Sequence, residues 1–60
     1  MLETEDEIRT FILNKLEQIN TCRISAINSK CKDESMCFKV MSDLVNEGKI
    51  DKDDNFIWLK

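Results

Sequence analysis

The sequence predicts an α+β fold in which three helices precede a C-terminal β-hairpin, within a single domain of residues 1–60. Two amphipathic patterns, one behind Thr4 and one ending at the only glycine, Gly48, predict the first and third helices. Branched and aromatic residues after Gly48, interrupted by an Asp-Asp-Asn turn, predict two strands. The 42% hydrophobic content and the lack of proline predict an ordered chain.

The first helix has a sequence-level start signal. Thr4 and Glu7 have the spacing of a capping box, in which each side chain bonds the free backbone amide of the other residue. Behind the cap, one stripe of a 3.6-residue period consists of Ile8, Phe11, Ile12, Leu16 and Ile19. We expect this whole stripe in the core, and the pattern breaks at Asn20 and Thr21.

A short second helix follows, and its apolar seam has offsets of 0, 3 and 7 at Ile24, Ile27 and Cys31. Residues 20–23 are a candidate for a short strand beside the hairpin. Lys32 and Asp33 form the natural turn, with Asp33 or Ser35 as the cap of helix three. Helix three then runs to about Glu47, where Gly48 offers the left-handed conformation that ends helices.

Periodicity assigns a face to most residues of helix three. The expected inward residues are Cys37, Val40 or Met41, Leu44 and Val45. The expected outward residues are Ser35, Phe38, Lys39, Ser42 and Asn46. In the last strand, Phe56 and Trp58 alternate with Ile57 and Leu59, and the pattern leaves open which pair faces the core.

These residues resemble the winged helix-turn-helix superfamily. The resemblance covers nearly the whole chain and is carried by the helix-two seam, the helix-three exit from Val40 to Ile50, and the aromatic last strand. It implies three helices with the hairpin as a wing. It also implies a role in gripping nucleic acid, with helix three in the major groove and the preceding turn against a phosphate. Some members bind proteins instead.

Within this superfamily, the chain is similar to Z-form nucleic-acid-binding domains in its length, Thr21, Gly48-Lys49 and a tryptophan that closes the wing. The lysine, asparagine and tyrosine of their recognition helix correspond to Glu34, Phe38 and Ser42 here. Two prolines before their tryptophan are also missing. The family therefore stays unassigned. The chain is also similar to protein-binding winged helices, such as the C-terminal domain of the middle subunit of replication protein A, in its acidic balance and short wing.

The charge distribution bears on the partner. The net charge is −3, which argues against strong non-specific binding to phosphate, but residues 21–42 carry four basic and two acidic side chains. On the duplex-DNA hypothesis, Lys39, Ser42 and Asn46 read base edges or phosphates. The remaining candidate contacts to nucleic acid are Arg23, Lys30, Lys32, Ser35, Lys49 and Lys52.

We expect a small DNA-binding regulatory or accessory protein, and the alternative is a protein-interaction module that binds through Phe38 or Trp58. Homodimerisation would multiply weak contacts. We expect no enzyme, cofactor or small-molecule substrate, because the chain has no histidine and no glycine-rich phosphate loop. Three free cysteines at spacings unlike those of zinc modules predict no metal and a reducing compartment, cytoplasmic or nuclear. No segment is long enough to predict a membrane span.

Overall fold

The structure, a computed structural model, describes all 60 residues. It contains three helices and three strands, in the order α1 (Glu5–Ile19), β1 (Thr21–Arg23), α2 (Ile24–Asn28), α3 (Glu34–Asn46), β2 (Ile50–Lys52) and β3 (Phe56–Leu59). The predicted α+β class is therefore confirmed, with a three-stranded sheet in place of a lone hairpin. No helix has the length and apolar content needed to cross a membrane.

The sheet is antiparallel with the order β1-β3-β2, so residues 21–23 do form the candidate strand beside the hairpin. Directly opposite residues point to the same face of a sheet. Cys22 lies opposite Ile57, and both are buried. Trp58 lies opposite Thr21 on one side and Asp51 on the other, on the outer face. The structure thus assigns Ile57 to the core, and leaves Phe56 and Trp58 half-buried on the outer face.

Helix α1 begins at the predicted capping box. The Thr4 hydroxyl accepts from the Glu7 amide at 3.2 Å, and a Glu7 carboxylate oxygen accepts from the Thr4 amide at 3.0 Å. The Glu7 carboxylate also accepts from the Glu3 amide at 2.9 Å, and this bond, followed by the one from the Thr4 amide, lowers the pKa of the Glu7 carboxyl group. Three residues of the predicted stripe are fully buried, namely Ile8, Ile12 and Leu16, and Phe11 is half-buried.

The prediction that Ile19 is a core residue was wrong, because its side chain is 47% exposed. Ile19 is the last residue of α1, and Asn20 adopts a positive φ of 62° that turns the chain into β1. The apolar stripe therefore continues in sequence for one residue beyond the layer that packs over it. Periodicity cannot show this, since it measures the spacing of residues and not the length of the surface that covers them.

Helix α3 is capped by Asp33, whose carboxylate accepts from the amides of Ser35 at 2.9 Å and Met36 at 3.4 Å. Of the two predicted caps, Asp33 is thus the one that acts. The helix buries Cys37, Val40, Met41 and Leu44, so both of the alternative residues at 40 and 41 face inward, while Val45 is half-buried. The predicted left-handed residue is confirmed, with Gly48 at a φ of 77°.

Two backbone connections join distant parts of the chain. The segment before α1 lies beside the α2–α3 turn, where Leu2 donates to the Lys30 carbonyl at 2.7 Å and accepts from the Lys32 amide at 2.8 Å. The hairpin turn lies against the start of α2, where the Ile24 amide donates to the Asn55 carbonyl at 2.9 Å. The α2–α3 unit is therefore held from both ends of the sequence.

Candidate nucleic-acid interface

The outward surface of α3 is the first candidate site. Its predicted residues are all exposed: Ser35, Phe38, Lys39, Ser42 and Asn46. Four of them are spaced four, three and four residues apart, so they form one polar row along the helix. We call this row, of Ser35, Lys39, Ser42 and Asn46, the α3 polar row. It contains no acidic side chain, and Lys39 is its only charge.

Lys39 does not present a free charge. Its ammonium group donates to a Glu5 carboxylate oxygen at 3.0 Å and to an Asp43 carboxylate oxygen at 3.1 Å. The hydrogen bond with Glu5, followed by that with Asp43, raises the pKa of Lys39 because both stabilise the charged form. A phosphate approaching Lys39 therefore has to compete with two carboxylates that are already in place.

Two other predicted cations also have acidic partners. Lys32 lies 3.5 Å from a Glu3 carboxylate oxygen, and Lys49 lies 3.9 Å from one of Glu47. Glu47 in addition binds the Arg9 guanidinium through both carboxylate oxygens. This bond lowers the pKa of the Glu47 carboxyl group and raises that of Arg9. Lys32, Lys39 and Lys49 are thus each compensated by at least one acidic side chain.

The remaining predicted cations, Arg23, Lys30 and Lys52, have no acidic partner within ion-pair distance. Arg23 lies with its guanidinium carbon 5.5 Å from the centre of the Phe56 ring, a cation–π arrangement on the outer face of the sheet. The positive segment of residues 21–42 is therefore divided: Lys32 and Lys39 contact the acids before and within the first turn of α1, while Arg23 contacts the hairpin.

The start of α3 carries two acidic residues, Asp33 and Glu34. Both suit the positive end of the helix dipole, and Asp33 also bonds the first free amides. The same two charges would repel a phosphate at this end.

The two predicted partner-binding aromatics differ in exposure. Phe38 is 43% exposed beside the α3 polar row, so it does not close the core. Trp58 is half-buried on the outer face of the sheet, where it lies between Thr21 and Asp51 of the neighbouring strands. Phe38 is thus the more accessible anchor for a protein partner.

A polar groove of about 500 Å³ lies between the start of α2 and the hairpin turn. It is lined by Arg23, Ile24, Ser25, Asn28, Asp54, Asn55 and Phe56, and we call it the α2–hairpin groove. The carboxamide oxygen of Asn28 is buried and has no hydrogen-bond partner. A second, shallower groove of about 560 Å³ follows the outer side of α1, with Leu2 as its only wall from outside that helix.

Sequence reasoning missed the α2–hairpin groove. It assigned Asp53 and Asp54 together to the geometry of the turn, and this holds only for Asp53, whose carboxylate accepts from the amides of Asn55 at 2.8 Å and Phe56 at 2.7 Å. The one local signal was the three-residue spacing of Ser25 and Asn28, which puts two polar side chains on one side of α2.

A comparison with known proteins finds no matching family model, no matching curated protein and no matching solved structure. The function proposed below therefore rests on the residues and geometry of this chain.

Proposed function

We propose that the protein is a winged-helix domain that binds duplex DNA, with α3 as the recognition helix and the β2–β3 hairpin as the wing. The order of its elements is compatible with that layout, since a helix-turn-helix of α2 and α3 leads directly into the hairpin. One observation carries the proposal: the α3 polar row is exposed along its full length and contains no acid.

The side chains of the row have the chemistry of groove recognition. Asn46 offers a donor and an acceptor together, the pair that matches the major-groove edge of adenine. The Ser42 hydroxyl can donate to or accept from either a base or a phosphate. Lys30, which is exposed and free of ion pairs, would supply a backbone contact from the turn before α3.

Affinity for DNA should be modest. Lys32, Lys39 and Lys49 each have an acidic neighbour, so binding phosphate through them replaces one ionic contact with another. Few counterions would be released in such an exchange, and the dependence of affinity on salt should be correspondingly shallow. A second protomer on the same duplex would raise the overall affinity through effective concentration.

The proposal is tested by a pair of matched substitutions. Asn46→Asp places a negative charge in the α3 polar row, whereas Asn14→Asp makes the same change on the outer side of α1. We expect Asn46→Asp to weaken duplex binding at least about tenfold, measured by fluorescence anisotropy at about 50 mM salt, because the new charge repels phosphate. Asn14→Asp should leave binding within about twofold of the unchanged protein.

The absence of duplex binding by the unchanged protein at low salt would contradict the proposal. So would an equal loss in both variants, since that reports net charge alone. Far-UV circular dichroism of each variant shows whether the fold is retained.

A protein-docking role is the second candidate, and the exposure of Phe38 favours it. An aromatic side chain at the centre of a helix surface is a common anchor at protein interfaces. Sedimentation of the free chain tests this role in its simplest form, docking of a second copy. If duplex binding fails while Phe38→Ser abolishes self-association, the docking role replaces the first proposal.

A further inference from the structure

The α2–hairpin groove contains opposite charges that do not meet. Arg23 and Asp54 both line it, yet they form no ion pair with each other. Arg23 is instead held against the Phe56 ring. A ligand that fills this space therefore meets donors from Arg23 and acceptors from the Asp54 carboxylate.

The Asn28 side chain sets a second requirement for a ligand of this groove. Its carboxamide oxygen is buried, lacks a partner, and belongs to a residue that lines the same groove. Buried acceptors are nearly always satisfied in folded proteins, and one that is not is a reason to look for a missing donor. The ligand should therefore donate at least one hydrogen bond besides those that Asp54 accepts.

We infer that the α2–hairpin groove binds an unpaired guanine base. Guanine has neighbouring N–H donors on its Watson–Crick edge, at N1 and N2, and a carboxylate accepts from both at once. The second hydrogen of N2 would be left for the Asn28 oxygen, once the carboxamide turns this buried atom toward the groove. The O6 and N7 acceptors of guanine form the pair that an arginine such as Arg23 binds bidentately.

The other bases match this set of groups less well. Adenine and cytosine each offer a single amino group beside a ring acceptor, and uracil offers one N–H between two carbonyls. None of them presents the adjacent donor pair that suits the acceptor-only carboxylate of Asp54. The volume of the groove, about 500 Å³, is within the range of small-ligand sites.

Guanine binding in this groove can be tested separately from duplex binding, because Ser25, Asn28 and Asp54 lie outside the α3 polar row. The probe is guanosine 5′-monophosphate, with adenosine 5′-monophosphate as a control of equal charge. Backbone amide shifts in two-dimensional NMR report where each nucleotide binds. We expect shifts confined to residues 23–28 and 54–56, and an affinity for the guanine nucleotide at least about tenfold higher than for the adenine one.

Asp54→Asn should lower the affinity for the guanine nucleotide about tenfold and remove the preference over adenine. Asp54 is exposed and makes no side-chain hydrogen bond, so this change should not disturb the fold. Asp51→Asn is the matched control, because it removes the same charge from the same hairpin outside the groove. It should leave both the affinity and the preference unchanged.

Several outcomes would overturn the inference. These are equal binding of the two nucleotides, shifts centred on Lys39 and the α3 polar row, an unchanged affinity in Asp54→Asn, and no shift at millimolar nucleotide. Glycine that produces the same groove shifts would also overturn it, by showing that the opposed charges take an amino-acid zwitterion. None of these results depends on whether the protein binds duplex DNA.

Discussion

Charged side chains are arranged differently in two regions of the molecule. Where α1 packs beside α3, Lys39 contacts Glu5 and Asp43, and Arg9 contacts Glu47. In the α2–hairpin groove, Arg23 and Asp54 face the same space without forming an ion pair. Both regions contain charges of each sign. The formal charge of a segment therefore does not measure the charge that a ligand meets, since only the second region leaves both signs available.

The two regions share one hydrophobic core. A substitution that unfolds this core should therefore abolish both arrangements of charged side chains. Ile57 is fully buried in the central strand, and Leu59, on the same face, is 38% exposed. We expect Ile57→Ala to cost about 2–5 kcal/mol, which is comparable to the whole free energy of unfolding of a domain this small. Leu59→Ala should cost less than about 1 kcal/mol. Urea denaturation followed by circular dichroism measures both, and equal costs would contradict the burial of Ile57 at the centre of the sheet.

Removing the two carboxylate partners of Lys39 should leave its positive charge accessible to a ligand, as the charges of the α2–hairpin groove are. In the double variant Glu5→Gln, Asp43→Asn, the ammonium group keeps its charge but loses both carboxylate partners. We expect duplex affinity to rise about threefold to tenfold, and the slope of log affinity against log salt to steepen by about one.

A control for this variant removes an equal amount of charge elsewhere. Glu17→Gln and Asp6→Asn lie on α1, and neither acid contacts a lysine. If this control strengthens binding as much as the release of Lys39, the effect comes from net charge, and the contrast between the two regions has no bearing on DNA.

Lowering the pH should destabilise the hairpin turn, because the Asp53 carboxylate that accepts its amides becomes protonated. The amides of Asn55 and Phe56 donate to its carboxylate and hold its pKa below the ordinary value of 3.8. Because the folded form binds the proton more weakly, Asp53 contributes stability above its unfolded pKa, and this is lost as pH falls through the folded pKa.

Asp53→Asn should therefore unfold at a lower urea concentration than the unchanged protein at neutral pH. The gap between the two urea midpoints should narrow at about pH 3. Asp54→Asn is the control, since Asp54 accepts no amide, and its midpoint should follow that of the unchanged protein. A gap that is constant from neutral to acid pH would show that the turn does not depend on the charge of Asp53.

The smallest expected effect is on the reactivity of the thiols, which reports local opening of α3 at Cys37 and of strand β1 at Cys22. Burial, and then a hydrogen bond with Cys31, raises the pKa of Cys37 to about 12, so its reactive thiolate is scarce at neutral pH. We expect no alkylation of Cys37 by iodoacetamide in the folded protein and full alkylation in urea, measured by mass spectrometry. Cys22, in the edge strand β1, should react sooner than Cys37. The reverse order would show that α3 opens more readily than the sheet.

The features that local sequence determines were predictable. The Thr4–Glu7 capping box and the Gly48 helix end both depend on neighbours within a few positions. The candidate strand at residues 20–23 forms as Thr21–Arg23, but it depends on pairing with β3, which is far away in the sequence. The period also identified the inward side of α3, although it left the choice between Val40 and Met41 open and the structure buries both. The limit of this reasoning is Ile19, where the period is correct but the packing surface has ended.

The candidate sites were less predictable, because their geometry comes from residues far apart in sequence. The bond between Lys39 and Glu5 spans 34 positions, so charge counting within a segment could not detect it. The α2–hairpin groove likewise lies where Asn55 bonds back to Ile24, far earlier in the sequence. Sequence alone identified the exposed row of α3, while the compensation of its charge required the fold.

The pairing of Leu2 with Lys30 and Lys32 has a practical consequence for any fusion protein. An affinity tag joined ahead of Met1 would leave the domain beside the turn that precedes α3, where it could obstruct a duplex. A tag after Lys60 would start next to Lys49, to whose carbonyl the Lys60 amide donates at 3.2 Å. Binding measurements on tagged protein should therefore be made with both attachment points, or after the tag has been cleaved.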